Sequence, residues 1–114
     1  MKIAVTSQNF RTITGHAGKT RRFLVYETAA DAATPVEVER LDLPRAMSLH
    51  EFRGDDHPLF AVDYVVTAGC GEGFVRRLAL HGVTVIATAE PDPLAAACAL
   101  VTGQALPPAP PHDH

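Results

Sequence analysis

An α/β fold, one mixed β-sheet with helices covering its faces, is what this chain of 114 residues predicts. Three observations lead there. Five short runs of branched and aromatic residues are separated by polar or glycine-rich breaks, and segments with helical spacing appear only in the second half of the chain. Three strands therefore come first with no helix between them, a helix follows, and two strand–helix units close the domain.

The first strand is Lys2-Ile3-Ala4-Val5-Thr6 and the second Arg22-Phe23-Leu24-Val25-Tyr26-Glu27. Residues 7–21 join them through Gly15 and Gly18 with only Phe10 and Ile13 as sizeable apolar residues, too long a link for a hairpin and therefore a candidate functional loop. Residues 29–35 read as a hairpin turn into Val36-Glu37-Val38-Glu39-Arg40-Leu41, whose period-two alternation suits a half-exposed edge strand. Residues 44–54 look irregular. Asp55-Asp56-His57-Pro58 then opens a short helix that ends near Val62, with the acids as its cap.

Asp63-Tyr64-Val65-Val66-Thr67-Ala68 reads as a buried strand. The turn Gly69-Cys70-Gly71-Glu72-Gly73 leads into a helix with Phe74, Val75, Leu78 and Ala79 as its inward stripe and Gly82 as its terminator. Val83-Thr84-Val85-Ile86-Ala87 is the last strand. The final helix starts around Pro91 and turns Leu94, Ala97, Cys98 and Val101 inward before Gly103. One domain over residues 1–103 results. Residues 104–114, with Pro107, Pro108, Pro110 and Pro111, form a flexible tail in which His112 and His114 offer at most a weak metal contact.

Composition narrows the function. With 46% hydrophobic and 20% charged residues the chain is that of an ordinary globular protein. It has neither a secretory leader nor an apolar run of membrane-spanning length, so a cytoplasmic protein with no membrane partner is expected. Two widely separated cysteines make neither a disulfide framework nor a self-contained zinc site. Charge is lopsided: residues 1–26 hold Lys2, Arg11, Lys19, Arg21 and Arg22 and no acid, a segment of +5 in a chain of net −3. That distribution fits a compact anion better than nucleic acid, which calls for a more basic surface overall.

Ile3-Ala4-Val5-Thr6, the loop Thr14-Gly15-His16-Ala17-Gly18 leading to Phe23-Leu24-Val25-Tyr26, and Val65-Val66-Thr67-Ala68-Gly69-Cys70-Gly71-Glu72-Gly73 occur in an order that resembles one family. It is the dinitrogenase iron–molybdenum cofactor biosynthesis family, which includes NifX-type cluster carriers and the C-terminal domain of NifB. The resemblance implies a ribonuclease H-like, five-stranded mixed sheet of order 3-2-1-4-5, with strand 2 antiparallel, flanked by about three helices. It also implies a non-enzymatic carrier for the iron–molybdenum cofactor or another iron–sulfur or molybdenum–iron–sulfur cluster, with the loop histidine, here His16, as cluster ligand. Partners would be cofactor-assembly proteins or apo-nitrogenase, and the chain a monomer or weak homodimer. The family's usual His-Phe-Gly is His16-Ala17-Gly18 here, and its glycine-rich turn does not normally depend on a cysteine where Cys70 stands.

If strands 1 and 4 are parallel neighbours, the loops leaving their C-terminal ends meet at a crevice. His16 and Cys70 then supply imidazole and thiolate to a soft metal. Ser7, Asn9, Arg11, Lys19 and Arg21 supply hydrogen bonds and positive charge, and Gly69, Gly71, Glu72 and Gly73 form a helix N-terminus suited to an anion. Cys98 belongs to the core and His81 to a helix end. His50, Glu51, Asp55, Asp56 and His57 have metal-like composition without ligand spacing. Two rivals remain. Cys70-x5-Arg76 has the spacing of a phosphatase or rhodanese loop, and the edge strand at residues 36–41 would serve a cluster-free interaction module.

Overall fold

The computed structural model describes residues 1–29 and 34–110. Most of the turn read at residues 29–35, and the His112-Asp113-His114 end, lie outside the described residues. Five strands build one sheet: β1 (Lys2–Thr6), β2 (Arg22–Glu27), β3 (Val36–Asp42), β4 (Tyr64–Thr67) and β5 (Thr84–Ala87). They lie in the order β3-β2-β1-β4-β5, with β2 antiparallel to both neighbours and β1, β4 and β5 mutually parallel. This is the topology implied by the resemblance. Two α-helices flank it, α1 (Glu72–Ala79) and α2 (Pro93–Thr102). The third expected helix is a 3-10 turn, Pro58–Ala61, whose cap is the His57 imidazole accepting the Leu59 N–H rather than the two aspartates.

Period-two alternation divides the strands between two cores. Ile3, Val5, Leu24, Tyr26 and Val66 face Ala96 and Ala97 of α2. Ala4, Phe23, Val25 and Val65 face Phe74 and Leu78 of α1, together with Leu49, Leu59 and Val62. Covered on both faces, β1 and β4 are apolar nearly throughout.

The helices are set differently from the sequence reading. In α1 only Phe74 and Leu78 of the expected stripe are buried; Val75 and Ala79 are exposed, and Arg77 is the half-buried third member of that face. Residues 47–62 pack along this side of the helix and present the carbonyls of Leu49 and Phe52, for which Arg77 is the donor. Asp92 caps α2 by accepting from Leu94 and Ala95, so the helix begins at Pro93, and Gly103 ends it at φ 75°. Its buried face is Pro93, Ala96, Ala97 and Ala99, small residues that let the axis approach the sheet; Leu94 points to solvent and Cys98 is half-buried.

Edge strand β3 is more open than its alternation suggests. Val36 and Val38 are 62% and 51% exposed, because neither helix extends over this edge and only Leu41 reaches the core. At the opposite edge, the described part of the expected tail, residues 104–110, is packed rather than free. Leu106 joins the α2-side core, Ala89 N–H donates to the Pro107 carbonyl, and Thr88 bridges Pro108. Prolines are tolerated at a sheet edge, where few ladder donors are needed.

Candidate functional site

Because β1 and β4 are parallel neighbours, the chain leaves their C-terminal ends in different directions, toward β2 and toward α1. The β1 loop is long but closely tied. The Thr14 carbonyl accepts from the hydroxyls of Thr6 and Thr67 at 2.6 and 3.2 Å and from the Ala68 N–H, which fastens this loop to the end of β4. Asn9 Oδ1 accepts from the backbone of Arg11 and Thr12, and Gln8 Oε1 from the backbone of Arg21 and Arg22. Ala17 N–H donates to the Gly69 carbonyl, joining the two loops where His16 and Cys70 stand.

His16 begins the 3-10 turn Ala17–Lys19 in a left-handed conformation, φ 52° and ψ 51°, and its side chain is exposed. A non-glycine residue held there carries local strain of about 1 kcal/mol, a cost tolerated more often at functional sites than elsewhere. His16, Ala17, Gly18, Lys19, Cys70 and Gly71 line an open cleft of about 220 Å³, and one residue from far along the chain, His50, completes it. A second cleft of similar volume shares Lys19 and His50 and adds Arg21, Arg45, Ser48 and Glu51. A third, about 240 Å³, lies over the start of α1 between Gly18, His50, Gly73 and Arg77.

Three glycines around these clefts leave open space beside them. Gly18, Gly71 and Gly73 have ordinary φ values, and a Cβ built on any of them meets nothing within 4 Å. Neither backbone geometry nor packing demands glycine at these places; what the missing side chains preserve is open cleft. Gly18→Leu is expected to unfold within about 1 kcal/mol of wild type, since an exposed turn substitution is mild, and to lose whatever the cleft binds. Denaturant melts beside ligand titrations check both halves.

Of the sequence-predicted residues, His16, Lys19, Cys70 and Gly71 come together in the first cleft, Arg21 in the second and Gly73 in the third. Gly69 contributes its carbonyl to the loop junction. Ser7 is fully buried and donates to the Thr12 carbonyl, Asn9 is occupied by the loop, and Arg11 and Glu72 are exposed outside the cleft linings. Arg22 pairs with Asp42 at 3.4 Å and lies over the Phe10 ring. The group His50, Glu51, Asp55, Asp56 and His57 is dispersed: His50 enters the clefts, the aspartates are exposed and His57 is buried. Sequence reasoning missed Arg45 and the placement of His50. Among the described residues no three His, Cys, Asp or Glu side chains close on a single metal ion.

Burial pushes the Cys70 thiol up from its ordinary value. That is the reverse of the low-pKa thiolate a phosphatase or rhodanese loop needs, and Arg76 is exposed on α1 outside the Cys70 cleft. Burial also pulls the His57 pKa below its ordinary 6.5; the Arg77 charge lowers it further and the Met47 carbonyl opposes. At 3% exposure, His57 accepts from the Leu59 N–H at Nδ1 and lies 2.6 Å from the Met47 carbonyl through Nε2, an arrangement of the neutral Nε2–H ring. The unfolded chain thus binds a proton below pH 6.5 that the folded chain resists. The His57 contribution is fully present above pH 6.5 and is lost as pH falls from there through the lowered folded value. Urea midpoints between pH 7.5 and 5.5 are expected to fall more steeply for wild type than for His57→Gln.

No helix among the described residues is long and apolar enough to cross a membrane. Residues 1–104 match the family described as "Dinitrogenase iron-molybdenum cofactor". The crystal structure of PH0822 superposes with a TM-score of 0.65 at 20% identity, over 91% of this chain and 93% of that one, a likeness of fold. No curated protein sequence matches the chain.

Proposed function

The chain belongs to the dinitrogenase iron–molybdenum cofactor family, and on that premise we propose that it is a small carrier, not an enzyme. Its cargo is an anionic iron–sulfur or molybdenum–iron–sulfur cluster, the nitrogenase cofactor or a precursor. The observation that carries this is the cleft itself: an imidazole, a thiol and a lysine around space that Gly18 and Gly71 leave open.

Each part has a chemical task. His16 Nδ1 or Nε2 ligates an exposed metal of the cargo, and Cys70 gives up its thiol proton on ligation, which binding to a metal readily offsets. Lys19, with Arg21 and Arg45 in the adjoining cleft, balances the negative charge of the sulfides. Free N–H groups at the start of α1, capped by Gly71 without a side chain, favour the same charge. A carrier must also release its load. Few protein ligands in an open cleft suit release, whereas a closed four-ligand cage would retain the metal.

The test is anaerobic loading with isolated iron–molybdenum cofactor, followed by mixing with apo-nitrogenase. Transfer that restores nitrogenase activity supports the carrier function. Failure to take up the cofactor or a thiomolybdate overturns it.

A further inference from the structure

We propose that His50 is a second histidine donor to the carried cluster, completing with His16 and Cys70 a ligand set drawn from three separate segments of the chain. This rests on the carrier function proposed above. Three adjoining clefts surround the β1–β4 loop junction, and His50 lines every one of them. Its side chain is exposed, and it lines the first cleft together with Gly18 and Gly71 and the third together with Gly18 and Gly73.

The backbone that presents it is held from four directions. His50 N–H donates to the Gly18 carbonyl at 2.7 Å, so His50 is tied to the turn that His16 begins. Arg77 bonds the carbonyls on either side, Leu49 through Nη1 and Phe52 through Nη2, and lies over the Phe52 and Phe60 rings. His57 reaches the Met47 carbonyl before it, and Phe52 packs edge-on against both His57 and Phe60. Such anchoring gives a side chain a fixed place from which to meet two other ligands at a set separation.

The chemistry fits the class of cargo. Imidazole is a suitable donor to iron and related metals. His16, His50 and Cys70 line one cleft without forming, among the described residues, a group that could hold a single metal ion, so a shared cargo would have to meet them at separate points. A polynuclear cluster offers such separate points, and Lys19, common to the first two clefts, stands beside it to meet anionic sulfide.

The test compares wild type, His16→Gly and His50→Gln, each titrated anaerobically with isolated iron–molybdenum cofactor. Gln keeps the size and polarity of an exposed side chain, and matched urea melts exclude misfolding. Loss of an outer-shell partner already costs about 10–100-fold in metal affinity, so His50→Gln is expected to weaken uptake at least tenfold. In protein labelled with 15N-histidine, pulsed EPR of the loaded wild type is expected to show two nitrogen couplings and His50→Gln one. Wild-type affinity in His50→Gln, or a single coupling that vanishes only in His16→Gly, overturns the assignment and leaves the carrier function standing. A wild type that takes up no cofactor overturns both.

Discussion

Arg77→Met is expected to lower the free energy of unfolding by about 3 kcal/mol. Methionine retains contact with the Phe52 and Phe60 rings but donates nothing to the carbonyls of Leu49 and Phe52. Hydrogen bonds to a charged donor contribute about 1.5–3 kcal/mol each when their partners are withdrawn from water, and Arg77 is half-buried between α1 and residues 49–52. Urea unfolding with unchanged slope and a lowered midpoint would report this directly. Leu49 belongs to the α1-side core, so the loss spreads beyond the loop. A change below about 1 kcal/mol would mean that the aromatic contacts alone hold the segment.

His16→Gly separates stability from binding. Glycine adopts the left-handed φ of 52° without the Cβ clash, so the fold is expected to be as stable as wild type or up to about 1 kcal/mol more so. Cluster uptake is expected to fall by about two orders of magnitude, the upper range for loss of a group that supports a metal. Side by side, denaturation and anaerobic titration distinguish a ligand from a structural residue, because a residue kept only for the loop would lower both.

Much of the fold was legible because the strands are short, apolar and separated by turn-formers. Val65-Val66 reads as part of a buried strand and is one, and Ile3-Ala4-Val5, read as a strand, is buried as well because both faces of the sheet are covered. What failed was the assignment of faces on the short helix α1. Phe74 and Val75, like Leu78 and Ala79, are neighbours in sequence and apolar alike, so spacing alone placed all four inward. The structure rotates Arg77 into that face because buried carbonyls from a remote segment require a donor, and no local pattern signals this. The edge valines Val36 and Val38 show the reverse case: an alternating strand with no layer above it.

The site was legible in the same proportion. His16 and Cys70 follow strands whose pairing the topology explains, so their meeting could be anticipated. His50 follows no strand and carries no motif. It reaches the cleft through a hydrogen bond to Gly18 and the Arg77 anchor, both long-range contacts. Ser7 and Asn9, read as polar contacts beside the ligand, make hydrogen bonds that tie the loop together, which no local pattern signals.

The most direct measurement is molybdenum content per chain after anaerobic incubation with isolated iron–molybdenum cofactor and removal of unbound cluster by gel filtration. Wild type is expected to retain one molybdenum per chain and His16→Gly close to none. Cofactor that passes through wild type unretained, or that both proteins hold equally, would contradict a cargo cleft built around His16.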